Sequence, residues 1–119
     1  MSIIQEIFDT AAVGLLTQKS KSEVHSDHCM YRGPEGKKCA IGFCISDEDY
    51  DPSMEEKPIG RILDRYEGPS IKKLSGVNRA FLTRLQRIHD SDSSPEEWKE
   101  KLISLAQGYN LSTSAIDNL

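Results

Sequence analysis

The chain has 119 residues, of which 37% are hydrophobic and 29% are charged. These proportions exclude a disordered chain and predict a folded protein with one hydrophobic core. Its three cysteines are too few, and odd in number, for a secreted disulfide framework, which favours reduced thiols in the cytoplasm. We therefore expect one globular domain over residues 1–119 with a cytoplasmic location.

The apolar stretch over residues 3–16 predicts a helix rather than a membrane anchor. It is shorter than the roughly 20 residues that span a bilayer, and it carries acidic side chains at Glu6 and Asp9. Apolar residues recur in it at helical spacing, at Ile4, Ile7, Phe8, Ala11 and Leu15. We expect this helix to begin after Ser2, which can cap it, and to end near Gln18. No membrane partner is expected.

The segment from Cys29 to Ile45 has the pattern of a β-hairpin. Its Pro34-Glu35-Gly36 sequence suits a type I turn followed by a glycine in the left-handed region. This turn would pair Tyr31 with Cys39 and place the odd-numbered residues on one face. That face is apolar and would be buried, and it comprises Cys29, Tyr31, Cys39, Ile41, Phe43 and Ile45.

Further helical segments are predicted after the hairpin. Ser46 and Asp49 resemble a capping box for one helical turn that stops before Pro52. The remaining segments run from Pro58 to Gly68-Pro69, from about Val77 to His89, from Ser94-Pro95 to Gly108, and for a short stretch after Ser112. The predicted fold class is therefore α+β, with a β-hairpin or small antiparallel sheet packed with about four to five α-helices.

Histidines and cysteines cluster between His25 and Cys44, which raises the question of a zinc site. Cys39 and Cys44 have four residues between them and would point to opposite faces of a strand, so they cannot chelate one ion together unless the strand breaks. We therefore expect no metal and no cofactor, and small thiols in the core instead. The alternative is a cysteine-dependent enzyme that uses Cys39 or Cys44 as nucleophile with His89 as base.

Acidic and basic residues separate along the chain, although the net charge is only −4. Residues 46–56 contain six acidic residues and no basic one, whereas residues 57–87 contain eight basic residues and two acidic ones. Guanidinium groups bind phosphate bidentately, so a phosphorylated ligand could bind in a positive recess formed by Arg32, Arg61, Arg65, Arg84 and Arg87. Tyr31 or Tyr66 could stack on a base there.

The alternative is that these arginines lie on the solvated faces of amphipathic helices. Duplex DNA is disfavoured as a partner, because the net charge is negative and the sequence has no recognition-helix motif. The sequence also has no Walker loop and no dinucleotide fingerprint. A nucleotide-like ligand would therefore need a site unlike these common ones.

The hairpin segment also carries a resemblance to a family. Its motif is Cys29-x-Tyr31-Arg32-Gly33-Pro34-x-Gly36-x-Lys38-Cys39-Ala40-Ile41-Gly42, with Ile45-x-Asp47-Glu48-x-Tyr50 and Met54-Glu55 after it. Together with Leu85-Gln86-x-Ile88-His89-Asp90 and the tryptophan helix, this motif resembles a family of small uncharacterised proteins of tailed bacteriophages and bacteria. The resemblance covers residues 25–110, and Cys44 departs from the aliphatic or small residue expected there.

The resemblance implies a non-enzymatic accessory protein of phage type that works by binding. Such a protein would inhibit or sequester a host factor, either a host protein or a small nucleotide-like ligand. Two other hypotheses remain, namely the cysteine-dependent enzyme and a structural or assembly protein. Each of the three is compatible with a homo-oligomer.

Overall fold

The structure, a computed structural model, describes residues 3–18, 31–32, 38–55, 57–88 and 95–117. Within these ranges the chain forms five α-helices, which are α1 (Ile3–Gln18), α2 (Ile59–Arg65), α3 (Pro69–Ser75), α4 (Arg79–Arg87) and α5 (Pro95–Gly108). Two short 3₁₀ turns, Gly42–Cys44 and Pro52–Met54, lie between α1 and α2. α1 packs against α5 and the first 3₁₀ turn, and α4 contacts both α2 and α5.

The two longest helices, α1 and α5, agree with their predicted bounds. α1 ends at Gln18 and buries Phe8, Ala11 and Leu15, as its apolar spacing requires. α5 extends to Gly108 and buries Trp98 and Leu102 in the same core. None of the helices in the described part of the chain is long and apolar enough to cross a membrane.

α4 is slightly shorter than the predicted helix from Val77 to His89. It begins after Asn78, whose side-chain oxygen accepts hydrogen bonds from the backbone amides of Ala80 at 2.8 Å and Phe81 at 3.2 Å. Asparagine is among the preferred N-cap residues because it satisfies amides that have no partner inside the helix. Val77 is buried just before this cap, and His89 lies outside the described residues.

The sequence pattern does not predict α3, because Gly68-Pro69 is typical of the end of the preceding helix. Pro69 instead occupies the first turn of α3, where a missing amide hydrogen costs nothing. The preceding Gly68 has a φ of 141°, and a Cβ atom there would lie 2.1 Å from Asp49 Oδ1. Asp49 does not complete the predicted capping box with Ser46, because the Ser46 amide donates to the Ser70 hydroxyl at 3.1 Å. The Asp49 carboxylate accepts from the Ser70 amide at 2.8 Å instead.

The predicted α+β class is wrong, because the described residues contain no strand and five helices, which makes the fold all-α. Arg32 and Lys38 form one isolated antiparallel bridge, whose register is the one that the turn predicts. The pairing is not continued by regular strands, since the chain enters a 3₁₀ turn at Gly42. Cys29 lies outside the described residues.

Side chains from other parts of the chain form hydrogen bonds with backbone groups that a neighbouring strand would otherwise pair. The Glu55 carboxylate accepts from the backbone amides of Tyr31 at 2.9 Å and Arg32 at 3.1 Å. The amide group of Gln18 donates to the Lys38 carbonyl and accepts from the Lys38 amide, each at 2.8 Å. Because these backbone groups are already satisfied, a second strand is not needed to pair them.

The 3₁₀ turn also changes which residues of the predicted hairpin are buried. Ile41 and Ile45 are buried as predicted, but Phe43 is only partly buried. Ala40 belongs to the predicted polar face and is nevertheless fully buried, because the turn removes the two-residue alternation of a strand. A Cβ atom at Gly42 would lie 2.1 Å from the Tyr31 carbonyl oxygen, so this turn requires glycine.

Candidate functional site

The last turn of α4 carries two exposed arginines. α4 buries Phe81, Leu82 and Leu85, so the spacing of a helix turns Arg84 and Arg87 towards solvent. No described carboxylate forms an ion pair with either arginine. By contrast, the neighbouring Arg79 is held by Asp64 at 2.7 Å.

Arg84 and Arg87 line a recess of about 370 Å³ between α4 and α5, which we call the α4–α5 recess. Ile88 also lines its α4 side. The opposite wall comes from α5 and the residue after it, and consists of Lys101, Ser104, Leu105, Gly108 and Tyr109. Among the described residues that line it, three are basic and none is acidic.

The other three predicted arginines do not line this recess. Arg61 and Arg65 lie exposed on α2, one turn apart. The predicted set is therefore divided, since the structure brings Arg84 and Arg87 together and leaves Arg61 and Arg65 on another helix. The hydrogen bond and charge of Arg79 are the main causes that lower the pKa of the Asp64 carboxyl, and the charge of Arg61 contributes less.

Arg32 is engaged within the protein rather than available to a phosphate. One terminal nitrogen lies 2.6 Å from Asp47 Oδ1 and donates to the Ile45 carbonyl at 3.2 Å. Its guanidinium carbon also lies 4.6 Å from the centre of the Tyr50 ring, within the range of a cation–π contact. These contacts place Arg32 in a structural cluster with the acidic segment.

Glu55 is the centre of that cluster. Besides the amides of Tyr31 and Arg32, its carboxylate accepts the Tyr50 hydroxyl at 2.5 Å. Burial, together with the hydrogen bond and negative charge of Glu55, raises the pKa of the Tyr50 hydroxyl to about 12. Tyr31 is buried, and its hydroxyl donates to the Lys57 carbonyl at 2.5 Å, so it cannot stack on a ligand as predicted.

The two described cysteines occupy structural positions. Cys39 is fully buried, and its sulfur accepts from the Gln86 side-chain amide at 3.0 Å and from the Gly42 amide at 3.4 Å. Burial is the main cause that raises the pKa of the Cys44 thiol to about 12, with a smaller contribution from Cys39. A thiol with this pKa is almost entirely protonated at neutral pH and is a poor nucleophile. The proposed base, His89, lies outside the described residues.

Metal ligands do not gather in the described part of the chain. No group of three histidine, cysteine, aspartate or glutamate side chains there could hold a metal ion. Three of the histidines and cysteines that cluster in the sequence, namely His25, His28 and Cys29, lie outside these residues. Two of the acidic side chains cap turns instead, since Asp49 binds Ser70 and Asp51 accepts from the Ser53 amide at 2.8 Å.

A second recess, of about 620 Å³, lies between α2 and α3. Tyr66, the other tyrosine predicted to stack, lines it together with Leu63 and Ile71. Its charged lining residues are Glu67 and Lys72, which have opposite signs. This recess therefore lacks the uniform positive charge that distinguishes the α4–α5 recess.

Sequence reasoning missed the α5 side of the α4–α5 recess. Lys101, Ser104, Leu105 and Gly108 are spaced by three, four and seven residues from the first, which places them on one face of a helix. This face could have been recognised as a mixed basic and polar stripe beside the buried Trp98 face. Its position opposite Arg84 and Arg87 depends on how α4 and α5 pack.

Comparison of the chain with protein-family models, curated proteins and solved structures finds no match.

Proposed function

We propose that the protein is a non-enzymatic binding protein whose ligand is a small phosphorylated molecule held in the α4–α5 recess. The observation that carries this proposal is that Arg84 and Arg87 of α4 line the same recess as Lys101 of α5. Its volume of about 370 Å³ falls within the roughly 300–1,000 Å³ range of small-molecule sites. Arginine forks and a lysine ammonium are the groups that proteins commonly use to bind phosphate.

Helix electrostatics accounts for only part of this arrangement. Arg84 and Arg87 stand in the last turn of α4, where positive charge interacts favourably with the helix dipole. That explanation does not apply to Lys101, which lies in the middle of α5 and lines the facing wall. Arg84 and Arg87 lie one turn apart, and an anion beside both would relieve the repulsion between their like charges.

The cysteine arrangement supports binding rather than catalysis. Cys39 is buried and hydrogen-bonded, and the pKa of the Cys44 thiol is raised to about 12, so neither has the properties of a reactive thiol. The resemblance to phage proteins agrees with a role in which a host ligand is sequestered. A protein that sequesters a ligand needs affinity and no chemical step.

Titration calorimetry against mono-, di- and cyclic nucleotides at low and moderate salt tests the proposal. We expect at least one nucleotide to bind, with an affinity that falls as salt screens the basic groups. Each charge-assisted contact contributes roughly 1.5–3 kcal/mol, so Arg84→Ala should weaken binding by roughly tenfold or more. Arg87→Ala should have an effect of the same size.

Arg65→Ala is the matched control, because Arg65 is also an exposed arginine in the last turn of a helix but does not line the recess. It should leave binding unchanged. Loss of binding to the same extent in Arg65→Ala would show that general charge, and not the recess, attracts the ligand. No heat with any nucleotide at low salt would refute the proposal and leave a protein partner as the better hypothesis.

A further inference from the structure

Tyr109 gives the α4–α5 recess an aromatic wall beside its basic groups. Its ring contacts Phe81 edge to face, with centroids 4.9 Å apart and an interplanar angle of 73°. Phe81 is fully buried in α4, so it anchors the Tyr109 ring to the core. Tyr109 itself is only partly buried and lines the recess with its remaining surface.

The backbone around Tyr109 is fixed by the way in which α5 ends. The Leu111 amide donates to the Ala106 carbonyl at 2.8 Å, and the Asn110 amide donates to the Gln107 carbonyl at 3.4 Å. Asn110 has a φ of 56°, in the left-handed region. This hydrogen-bond pattern and the left-handed residue define a Schellman motif, in which Tyr109 is the C-cap. The aromatic ring is therefore held in place before any ligand binds.

Gly108 adds open space to the α5 wall of the recess. Apart from its chain neighbours and the backbone of its own helix, no described residue has an atom within 4 Å of the position that a Cβ atom would take at Gly108. The neighbouring Ser104 adds a hydroxyl group to the same wall. The recess thus combines a fixed aromatic ring, open space, a hydroxyl and three cations, which is more than a simple phosphate requires.

We infer that the ligand of the α4–α5 recess is a nucleoside phosphate, whose phosphate contacts Arg84, Arg87 and Lys101 and whose base stacks on Tyr109. This inference rests on the proposed function and specifies the class of its ligand. An aromatic side chain stacks on any base because every base has a π-face. A ring that is already held in place loses little conformational freedom on binding, which favours affinity.

The test compares the dissociation constants of adenosine 5′-monophosphate and ribose 5-phosphate at low salt. The two compounds share the sugar phosphate and differ in the base. Adenosine 5′-monophosphate should bind roughly tenfold or more tightly, in line with the usual contribution of one stacked base. Tyr109→Leu should abolish this difference, whereas Tyr109→Phe should preserve it.

A second variant separates loss of the site from loss of folding. Gly108→Leu adds a side chain where the structure has open space, and replacing a helical glycine removes its entropic cost. It should therefore block adenosine 5′-monophosphate while the unfolding midpoint stays the same or rises. Unchanged binding in Gly108→Leu would overturn the inference.

The outcomes distinguish the inference from the proposed function. Equal affinities for the two compounds, each reduced by Arg84→Ala, would overturn the nucleoside phosphate and retain a phosphate site. Binding of neither compound, nor of any other nucleotide, would overturn both. A short single-stranded oligonucleotide that binds more tightly than the monophosphate would overturn a free nucleotide as the ligand.

Discussion

Glu55 connects residues 31–32 with Tyr50 through one carboxylate. Its oxygens accept from the amides of Tyr31 and Arg32 and from the hydroxyl of Tyr50. Hydrogen bonds to a charged acceptor are stronger than those between neutral groups, and a donor left without an acceptor costs further stability. Tyr31, Arg32, Tyr50 and Glu55 therefore help to hold the fold together.

Glu55→Gln should lower the free energy of unfolding by about 2–3 kcal/mol. The glutamine side chain keeps one oxygen that can accept a hydrogen bond. Its amide nitrogen replaces the other oxygen and cannot accept hydrogen bonds from the donors that face it. Glu48→Gln is the matched control, since Glu48 is an exposed glutamate in the same acidic segment, and it should change stability by less than about 0.5 kcal/mol. Denaturant unfolding measures both values, and equal stabilities for the two variants would contradict the role of Glu55.

Cys44 should make stability depend on pH in the alkaline range. Its thiol pKa is raised from 9.0 to about 12 in the folded protein, mainly by burial. The folded state therefore holds the proton more tightly than the unfolded state, so this contribution is complete below pH 9 and is lost as the pH rises towards 12.

Unfolding free energies of the wild type and Cys44→Ala, measured across this range, isolate the effect of the thiol. The wild type should lose more stability than Cys44→Ala as the pH rises.

A thiol reagent should also modify Cys44 in a Cys29→Ser, Cys39→Ser background far more slowly than it modifies a model thiol at neutral pH. Rapid modification of Cys44 would contradict its raised thiol pKa and revive the cysteine-dependent enzyme.

At the scale of the element, the end of α5 is the segment that most directly shapes the recess. Its Schellman motif places a non-glycine residue, Asn110, at a φ of 56°. Side chains with a Cβ atom are strained in this region, and asparagine tolerates it better than most. The Schellman motif positions Tyr109. The stability of this motif therefore matters for the recess as well as for the fold.

Asn110→Gly should raise the free energy of unfolding by roughly 0.5–1 kcal/mol, because glycine adopts this conformation without strain. Asn110→Ala should lower it by roughly 1 kcal/mol. Thermal or denaturant unfolding of the pair provides the comparison. If alanine were as stable as glycine at this position, the left-handed conformation would be wrong.

Sequence patterns predicted those elements whose signals are local. The apolar spacing of residues 3–18 and the proline start of α5 are contained within the helices themselves. The prediction of a hairpin was wrong because side chains distant in the sequence form hydrogen bonds with its backbone groups. For example, the Gln86 side-chain oxygen accepts from the Ile41 amide, which lies 45 residues earlier. The same limit applies to the site, since spacing identified Arg84 and Arg87 but not the α5 face that packs opposite them.

At the scale of the whole molecule, the acidic and basic segments differ in how far their charged side chains are paired within the protein. Most described acids of residues 46–55 are used internally, since Asp47 pairs with Arg32, Asp49 binds Ser70 and Glu55 holds the cluster around Tyr50. Of the basic residues of α4, Arg79 is paired with Asp64, whereas Arg84 and Arg87 form no ion pair with a described carboxylate. The molecule therefore keeps a local positive site despite its net charge of −4.

A titration with adenosine 5′-monophosphate, followed by amide chemical shifts at low salt, tests the proposed site most directly. The changes should saturate and be largest at Arg84, Arg87, Lys101, Ser104 and Tyr109, with α2 unaffected. Arg84→Ala should reduce them throughout this set. Saturable changes centred on Arg61 and Arg65, or no saturable change anywhere, would contradict a ligand site in the α4–α5 recess.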